Sequence, residues 1–361
     1  MSNFEYKKII KHDKTFNFDA TFDGNTGFYV RTGILKNGKD TGIDPFMASF
    51  PELIDVGIMG SCKCASKCNV DCYQNAINRK DKNMSLENFK KIVDECHEKT
   101  FEFALGGAGD PDTHENFKEI LEYCAHNDIV PNFTTSGILL TDENVALCKE
   151  YCGAVAVSDH NADYTKKAVE KLVNAGVKTN IHYVLNKDNI KDAIAILKGE
   201  KPYYEGINAL VFLLYKPVGL GKEDKVIKPD NPDVKDFFTA VDEKKVPFKL
   251  GFDSCSCSGL VNHCKSYNQL YIDYCEGSRF SMYISADMKA MPCSFANQNP
   301  NWWYDLSDGA TIMDAWRSEL FNSFRRKLVN TCPECKDREA CSGGCPLMPN
   351  ICLCQRKERK S

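Results

Sequence analysis

The sequence predicts an α/β fold: a partial (β/α)6 barrel of the TIM type, followed by a small cysteine-rich domain. Two observations carry this prediction. From residue 52 to about 250, short apolar runs alternate with segments in which apolar residues repeat at helical spacing. After that point the sequence becomes rich in cysteine, serine, asparagine, proline and glycine, and a region with few apolar residues per cysteine is expected to fold around metal.

The βα pattern contains six candidate strands, whose starts recur about every 25 to 28 residues after the first gap. The runs are 53–58, 101–105, 129–133, 154–157, 181–185 and 209–214. Between two of them, Phe117, Ile120, Leu121 and Cys124 illustrate the helical spacing. Alternation of this kind implies parallel strands with right-handed crossovers, in an open doubly wound sheet or in a barrel, and six strands favour the partial barrel.

We expect three regions along the chain. Residues 1–50 carry glycines in a β-like pattern and are predicted to be a β-rich extension, residues 51–245 the partial barrel, and residues 246–361 the cysteine-rich domain. Within the last region, the segment 280–293 predicts a hairpin that turns at Asp287 and Met288.

Charge and hydropathy exclude several classes of protein. The 361 residues include 46 Lys and Arg against 50 Asp and Glu, so the formal net charge is −4 and gives no reason to expect nucleic acid or a membrane as partner. The longest strongly apolar run, 209–215, is far shorter than the ~20 residues of a transmembrane helix. The charged N-terminus has no apolar signal region, so we expect a cytoplasmic protein.

Cysteine is the abnormal component of this composition. In a reducing compartment 19 cysteines are not expected to form disulfides, so they indicate metal binding. Four lie within 62–72 and six within 332–354. The first group follows the first predicted strand, at the strand end where α/β folds build active sites. Three of its thiolates would hold a [4Fe–4S] cluster with one open iron, whereas all four would hold a zinc ion.

A glycine-rich stretch, Leu-Gly-Gly-Ala-Gly-Asp-Pro at 105–111, ends the second predicted strand. Glycines there allow a ligand to approach the backbone, whose carbonyls accept hydrogen bonds from an ammonium group; the alternative is an ordinary turn. On this basis a side chain at Gly107 is expected to weaken binding of such a ligand.

Together these features resemble the radical S-adenosylmethionine (SAM) superfamily over residues 52–220. The resemblance depends on the cysteine loop, the glycine-rich stretch, the Thr-Thr-Ser-Gly segment 134–137 and Ser158 at the end of the fourth strand. It implies a [4Fe–4S] cluster on three cysteines, chelation of its unique iron by SAM, and a 5′-deoxyadenosyl radical that abstracts hydrogen from the substrate. Here the spacing is C-x3-C-x3-C for Cys64, Cys68 and Cys72; Cys62 is the alternative first ligand, and Cys64 is favoured because it keeps the family's first spacing.

The resemblance also implies a set of residues around SAM, although it identifies no catalytic residue. His182 is expected to point into the barrel or to be a core histidine, and Pro217 lies in a loop that either contacts adenine or is an ordinary connection. The implied cofactor-binding residues are Tyr73, Gly106, Gly107, Asp110, Thr135, Ser158, His182 and Pro217.

The C-terminal cysteines resemble the SPASM domain, which holds auxiliary [4Fe–4S] clusters in peptide-modifying radical SAM enzymes. A zinc ribbon would require two C-x2-C pairs, and only one is present. The resemblance implies that auxiliary cluster I is bound by Cys255, Cys275, Cys293 and Cys345, with Cys257 and Cys264 as alternatives to Cys255. It implies that auxiliary cluster II is bound by Cys332, Cys335, Cys341 and Cys354, with Cys352 as the alternative to Cys354. The helical cysteines at 96, 124, 148 and 152 are expected in the core.

The function that this resemblance implies is maturation of a peptide, most simply a thioether or C–C crosslink in a ribosomally synthesised peptide. Such an enzyme needs a peptide or protein substrate and an electron donor such as flavodoxin or ferredoxin. Anaerobic sulfatase maturation is a second possibility, disfavoured because Ser294 stands after Cys293 where that branch has an acidic residue. A non-catalytic iron–sulfur electron-transfer protein is a third, and it would not need the glycine-rich stretch.

Overall fold

A computed structural model of the chain describes residues 2–68, 70–266, 268, 271–332 and 334–355. The strands are β1 (Lys8–Asp13), β2 (Phe18–Asp23), β3 (Phe28–Arg31), β4 (Leu35–Lys36), β5 (Lys39–Asp40), β6 (Leu53–Met59), β7 (Glu102–Gly107), β8 (Val130–Thr135), β9 (Val155–Ser158), β10 (Thr179–Leu185), β11 (Ala209–Leu214), β12 (Lys249–Phe252), β13 (Ser281–Ile284), β14 (Lys289–Met291) and β15 (Tyr304–Asp305). The helices are α1 (Leu86–Cys96), α2 (Phe117–His126), α3 (Asp142–Tyr151), α4 (Asp163–Asn174), α5 (Ile190–Leu197), α6 (Asp233–Asp242), α7 (Cys257–His263), α8 (Ile312–Arg317), α9 (Glu319–Asn330) and α10 (Arg338–Cys341).

The chain divides into two compact units, each built from separate stretches of sequence. Unit 1 comprises Met1–Asn69, Ala76–Thr179 and Gly277–Asn322; unit 2 comprises Val70–Asn75, Asn180–Glu276 and Ser323–Ser361. The domain boundaries near residues 50 and 245 stay predictions. Residue 1 of the first predicted region, residue 69 of the second, and residues 267, 269, 270, 333 and 356–361 of the last lie outside the described residues.

Four of the predicted strands lie in unit 1. The runs at 53–58, 101–105, 129–133 and 154–157 are strands β6 to β9, which pair in parallel and in chain order. Helix α2 buries Phe117, Ile120, Leu121 and Cys124, the residues whose spacing predicts it. The alternation of apolar strands and amphipathic helices in the sequence therefore corresponds to βα units in the structure.

The remaining two predicted strands lie in unit 2, as β10 from Asn180 onward and β11. They pair in parallel from Asn180↔Ala209 to Leu185↔Leu214. A further parallel strand, β12, pairs with β11 and extends the pattern beyond the six predicted strands. Its four residues are exposed or half-buried, so it lacks the apolar run that marks the other strands.

The hairpin predicted in 280–293 is present, formed by β13 and β14 with Met288 at φ +61° in the turn. It belongs to unit 1, where β13 pairs in parallel with β6. Two hydrogen bonds tie the neighbouring segments together: Arg279 Nε donates to the Phe46 carbonyl at 2.7 Å, and Trp316 Nε1 donates to the Ala48 carbonyl at 3.1 Å. The side of β6 away from β7 is therefore covered by a segment more than 200 residues later in the chain.

Residues 1–50 contain strands β1 to β5. Strands β1 to β3 form an antiparallel sheet, and β2 buries Phe18 and Phe22 in a cluster that includes Phe101 and Phe280 of the same unit. The Tyr29 hydroxyl donates to the buried Glu52 carboxylate. Elsewhere in the chain, the cysteines at 96, 124, 148 and 152 are at most 2% exposed, as predicted for core residues. Among the described residues, no helix is long and apolar enough to cross a membrane.

Candidate functional site

The first cysteine group follows β6 directly, at the carboxyl end of that strand. In unit 1 the Cys64 carbonyl accepts hydrogen bonds from Lys67 N at 2.9 Å and from Cys68 N at 3.1 Å. This single helical turn places Cys64 and Cys68 on the same side, four residues apart. Cys64 is buried, whereas Cys62 and Cys68 are half-buried.

The two alternative first ligands, Cys62 and Cys64, lie against each other. Cys64 N donates to Cys62 Sγ at 3.3 Å. A hydrogen bond from the Cys64 thiol is the main reason that the pKa of Cys62 falls to about 7. The same hydrogen bond, together with burial and the Asp110 carboxylate, raises the pKa of Cys64 well above its ordinary value. The two cysteines therefore lie next to each other in the loop.

The glycine-rich stretch packs against this loop at the end of β7. Gly107 has φ +115°, and a Cβ there would overlap the Met59 carbonyl in the adjacent strand. A Cβ on Gly106 would instead meet open space, and one on Gly109 would lie 2.5 Å from the Ser61 carbonyl. The expectation that a side chain at Gly107 tests ligand binding is therefore corrected: it would first disturb the β6–β7 pairing, and Gly106 is the position that faces free space.

Polar residues from β8 meet the end of β7. The Asp110 carboxylate accepts hydrogen bonds from Ser136 N at 2.8 Å and from Ser136 Oγ at 2.5 Å. Thr135 is buried, and its hydroxyl accepts from Gly137 N at 2.9 Å. Nearby, burial and then the Asp110 charge raise the pKa of Asp112 to about 6. The structure thus brings Asp110 and the end of β8 together in unit 1, as expected for neighbouring parallel strands.

The loop after β9 contributes one residue that the sequence analysis did not identify, His160, and helix α4 contributes a second, Tyr164. Ser158, which the sequence analysis did identify, is half-buried at the end of the strand. Two residues later, His160 Nδ1 lies 3.7 Å from Cys68 Sγ and 2.9 Å from the Tyr164 hydroxyl oxygen. Burial lowers the pKa of His160, which favours the neutral ring. The signal that could have found His160 is its position just beyond the carboxyl end of a parallel strand.

Residues 70–75, with the third cysteine, belong to unit 2. There the Cys72 carbonyl accepts from Leu220 N at 3.0 Å, and a Cβ on Gly219, which has φ +67°, would overlap the Tyr73 carbonyl. The Asp71 carboxylate accepts from Lys225 Nζ at 2.5 Å. The loop after β11, which also contains Pro217, therefore holds the segment of Cys72 and Tyr73 in place.

Unit 2 also contains a group of titratable residues, of which Lys216 is buried and Asp253 and His182 are half-buried. Lys216 Nζ donates to Asp253 Oδ2 at 2.7 Å, and Asp253 Oδ1 accepts from Ser256 Oγ at 2.7 Å. Burial lowers the pKa of Lys216, but the Asp253 carboxylate and neighbouring cysteines raise it more, so the amine stays charged. Burial lowers the pKa of His182 on β10 to about 4, against the opposing effect of Asp253. His182 is therefore neutral at physiological pH.

In unit 2, Cys341 interacts electrostatically with three other cysteines near the C-terminus. Burial raises the pKa of Cys341, and Cys354, Cys332 and Cys335 raise it further through their charges. These four are the residues that the resemblance implies for auxiliary cluster II. Cys352, the alternative to Cys354, is buried, with its sulfur 3.0 Å from the position of a Cβ on Gly344.

The cysteines implied for auxiliary cluster I are divided between the units. In unit 2 the Cys255 and Cys345 thiols share a hydrogen bond, which raises the pKa of Cys255. Cys275 also belongs to unit 2 and Cys293 to unit 1. Cys257, an alternative to Cys255, donates its thiol hydrogen to the Ala340 carbonyl at 2.9 Å. In the part of the chain that the structure describes, no three His, Cys, Asp or Glu side chains converge as ligands of a single metal ion.

Comparison with known proteins identifies the region that contains these loops. Residues 60–198 match the family model of the radical SAM superfamily. This stretch is a radical SAM domain. The resemblance drawn from the cysteine loop and the glycine-rich stretch is thereby confirmed. No curated protein matches the chain.

Solved structures extend the similarity beyond the radical SAM domain. Streptococcus suis SuiB bound to the precursor peptide SuiA matches with a TM-score of 0.70 and 14% identity, over 98% of this chain and 100% of that chain. SuiB bound to S-adenosylmethionine matches with a TM-score of 0.64 and 15% identity, over 87% of this chain and 78% of that chain. Native anSMEcpe with bound AdoMet matches with a TM-score of 0.60 and 18% identity, over 86% of this chain and 93% of that chain. These matches confirm the predicted fold, a partial barrel followed by a cysteine-rich region.

Proposed function

We propose that this protein is a radical SAM maturase that forms a thioether or C–C crosslink in a ribosomally synthesised peptide. The observation that carries the proposal is the agreement of fold along 98% of this chain and 100% of SuiB, which was crystallised with its precursor peptide. The peptide or protein substrate and an electron donor of the flavodoxin or ferredoxin type are the proposed partners. The proposed location is the cytoplasm, where thiol ligands stay reduced.

The proposed ligands of the first cluster are Cys64, Cys68 and Cys72, which lie within nine residues of the chain. Three thiolates suit a [4Fe–4S] cluster that keeps one iron open for SAM. When bound and reduced, this cluster and SAM together supply a 5′-deoxyadenosyl radical that abstracts hydrogen from the peptide. The protein supplies binding, orientation and exclusion of water.

Several residues are proposed to bind SAM. A Cβ on Gly106 would point into open space at the end of β7, so a ligand can approach its backbone there, and the carbonyls of this strand end are suited to accept hydrogen bonds from the SAM ammonium group. Asp110 orients the end of β8 through its two hydrogen bonds with Ser136. The remaining proposed contacts to SAM are Tyr73, Gly107, Thr135, Ser158, His182 and Pro217.

Auxiliary clusters are proposed on the C-terminal cysteines. The electrostatic effects of Cys332, Cys335 and Cys354 on Cys341 support their assignment to one cluster, because four cysteine thiolates are the donor set of a closed [4Fe–4S] site. The shared hydrogen bond of Cys255 and Cys345 supports a second site, for which Cys275 and Cys293 are the further proposed ligands.

Sulfatase maturation is the second candidate, supported by the similarity to anSMEcpe. Ser294 after Cys293 disfavours it, since the sulfatase-maturing branch has an acidic residue there. The neighbouring genes discriminate between the two: a gene for a short cysteine-rich peptide supports crosslinking, and a sulfatase gene supports the alternative.

The test begins with anaerobic reconstitution of the full chain. Two or three [4Fe–4S] clusters would give brown protein with about 8 to 12 iron atoms per chain. The reduced protein should convert SAM to 5′-deoxyadenosine. Cys64→Ala should abolish this conversion and the matched Cys62→Ala should keep it; the reverse result would assign Cys62. Colourless protein that contains zinc would overturn the proposal.

A second experiment separates SAM cleavage from peptide modification. The double variant Cys332→Ala, Cys335→Ala should still form 5′-deoxyadenosine but yield no crosslinked peptide, because the auxiliary site is proposed to act after hydrogen abstraction. Circular dichroism must match that of the wild type, since metal binding is coupled to folding and loss of ligands unfolds metal-dependent domains. Full product formation by such a folded variant would contradict the proposed role.

A further inference from the structure

We propose that His160 is a positioning residue for the first cluster, whose ring Nδ1–H donates a hydrogen bond to the Cys68 sulfur. The inference rests on the proposed function, because it takes Cys68 to be a cluster ligand. It concerns a side chain outside the cysteine loop and outside the residues assigned to SAM.

The position of His160 is set by the turn that carries it and by the neighbouring Tyr164 ring. The turn between β9 and α4 is closed by Asn161, which has φ +50° and donates its N–H to Asp159 Oδ1 at 2.9 Å. On the other side, the ring meets Tyr164 edge to face, with centroids 5.8 Å apart and planes at 82°. This arrangement directs Nδ1 toward Cys68 Sγ at 3.7 Å.

The chemistry of a cluster ligand decides the direction of this hydrogen bond. A cysteine bound to iron is a thiolate, which has no hydrogen to donate and can only accept. The contact is therefore favourable only when the ring carries its hydrogen on Nδ1. The Tyr164 oxygen, 2.9 Å from Nδ1, can accept as well, so the Nδ1–H is shared between that oxygen and the Cys68 sulfur.

A donor at this sulfur affects the redox equilibrium of the cluster. Hydrogen bonds to cluster sulfurs are among the determinants of reduction potential. The reduced cluster carries one more negative charge than the oxidised one, so an N–H donor stabilises it more. His160 should therefore raise the midpoint potential and make the cluster easier for the electron donor to reduce.

The first test compares variants by redox titration of the reconstituted full chain. The EPR signal that changes on addition of SAM identifies the first cluster among the others. In His160→Ala the midpoint should become more negative, by about a tenfold change in the reduction equilibrium, which is 59 mV for one electron. His160→Asn, which keeps an N–H donor near the same position, should restore the wild-type value, and the exposed control His126→Ala should not change it.

The second test needs no destabilising variant. Wild-type protein labelled with ¹⁵N-histidine should show a ¹⁵N hyperfine coupling in pulsed EPR of the reduced first cluster. The coupling should disappear in labelled His160→Asn while the potential stays as in the wild type. If the labelled wild-type protein shows no coupling, the inference is wrong, whatever the iron content of His160→Ala.

These outcomes are distinct from failure of the proposed function. A wild-type protein with no SAM-responsive cluster signal would overturn the proposed function, and this inference with it. A wild-type protein with such a signal, together with a His160→Ala variant of equal iron content and unchanged midpoint, would leave the proposed function in place and overturn the role of His160.

Discussion

Replacing Asp112 by asparagine should stabilise the protein at neutral and alkaline pH but hardly at pH 4. Asp112 is 4% exposed, and burial followed by the Asp110 charge raises its pKa from 3.8 to about 6. A carboxyl whose pKa is raised by folding is most compatible with the fold when protonated. The contribution of Asp112 to the stability of the folded state should thus be most favourable below pH 3.8, and this stability should be lost as the pH rises through about 6.

The size of the effect follows from the shift. A rise from 3.8 to about 6 corresponds to about 3 kcal/mol once the group is ionised, at 1.36 kcal/mol per pKa unit. Asparagine has a similar shape and no charge, so Asp112→Asn should recover that amount at pH 8 and well under 1 kcal/mol at pH 4. With a typical unfolding entropy per residue, 3 kcal/mol over 361 residues raises the melting temperature by about 4 °C.

Thermal unfolding followed by circular dichroism under anaerobic conditions measures this difference. Wild type and Asp112→Asn are compared in pairs at pH 4 and at pH 8. The control Asp44→Asn replaces an exposed carboxylate, for which folding carries no burial cost. The melting temperature of this variant should therefore follow that of the wild type at both pH values. An Asp112→Asn variant that is equally stabilised at both pH values, or destabilised at pH 8, would refute the electrostatic reasoning.

Three further perturbations follow from the contacts described above. Gly106→Val should weaken SAM binding in equilibrium dialysis without loss of iron, because the valine side chain would enter the open space in which SAM is proposed to bind. Unchanged affinity would mean that the stretch is only a turn. Gly219 has φ +67°, and the Cβ of a valine there would overlap the Tyr73 carbonyl, next to the proposed ligand Cys72. Gly219→Val should therefore lower the iron content of the first cluster, and an iron content equal to that of the wild type would contradict this. Lys216→Met removes the buried cation that pairs with the half-buried Asp253 carboxylate. This change should lower the free energy of unfolding in chemical denaturation by about 3 kcal/mol, and a wild-type midpoint would argue against this pair.

The strands were predictable because strands buried on both faces are nearly continuous apolar runs. The run 209–214 coincides with β11, and 53–58 falls one residue short of β6. Strand β12 was missed for the same reason, since its residues are exposed or half-buried and do not form such a run. The prediction therefore followed burial, and it failed at a strand that has no continuous run of buried apolar residues.

Residues that act through distant contacts gave no local signal. His160 is 92 positions from Cys68, and Lys216 is 37 positions from Asp253, so neither contact leaves a periodic pattern in the sequence. The first ligand stayed open for another reason: Cys62 and Cys64 are two residues apart and touch, so spacing alone cannot separate them. The cysteines 332, 335, 341 and 354 do have a local and specific spacing, and their assignment to one cluster stays a prediction.

The parallel pairing of β6 with β13 bears on how the chain is synthesised. Leu53 and Ser281 pair although 228 residues separate them. At about 5–20 residues per second on the ribosome, β6 waits roughly 11–46 s for its partner strand. During that time its apolar edge is an unpaired template for other chains. Nascent chains of this protein should therefore depend on chaperones that bind exposed strands until residue 281 has left the ribosome, and truncation before that point should yield aggregates rather than a folded unit 1.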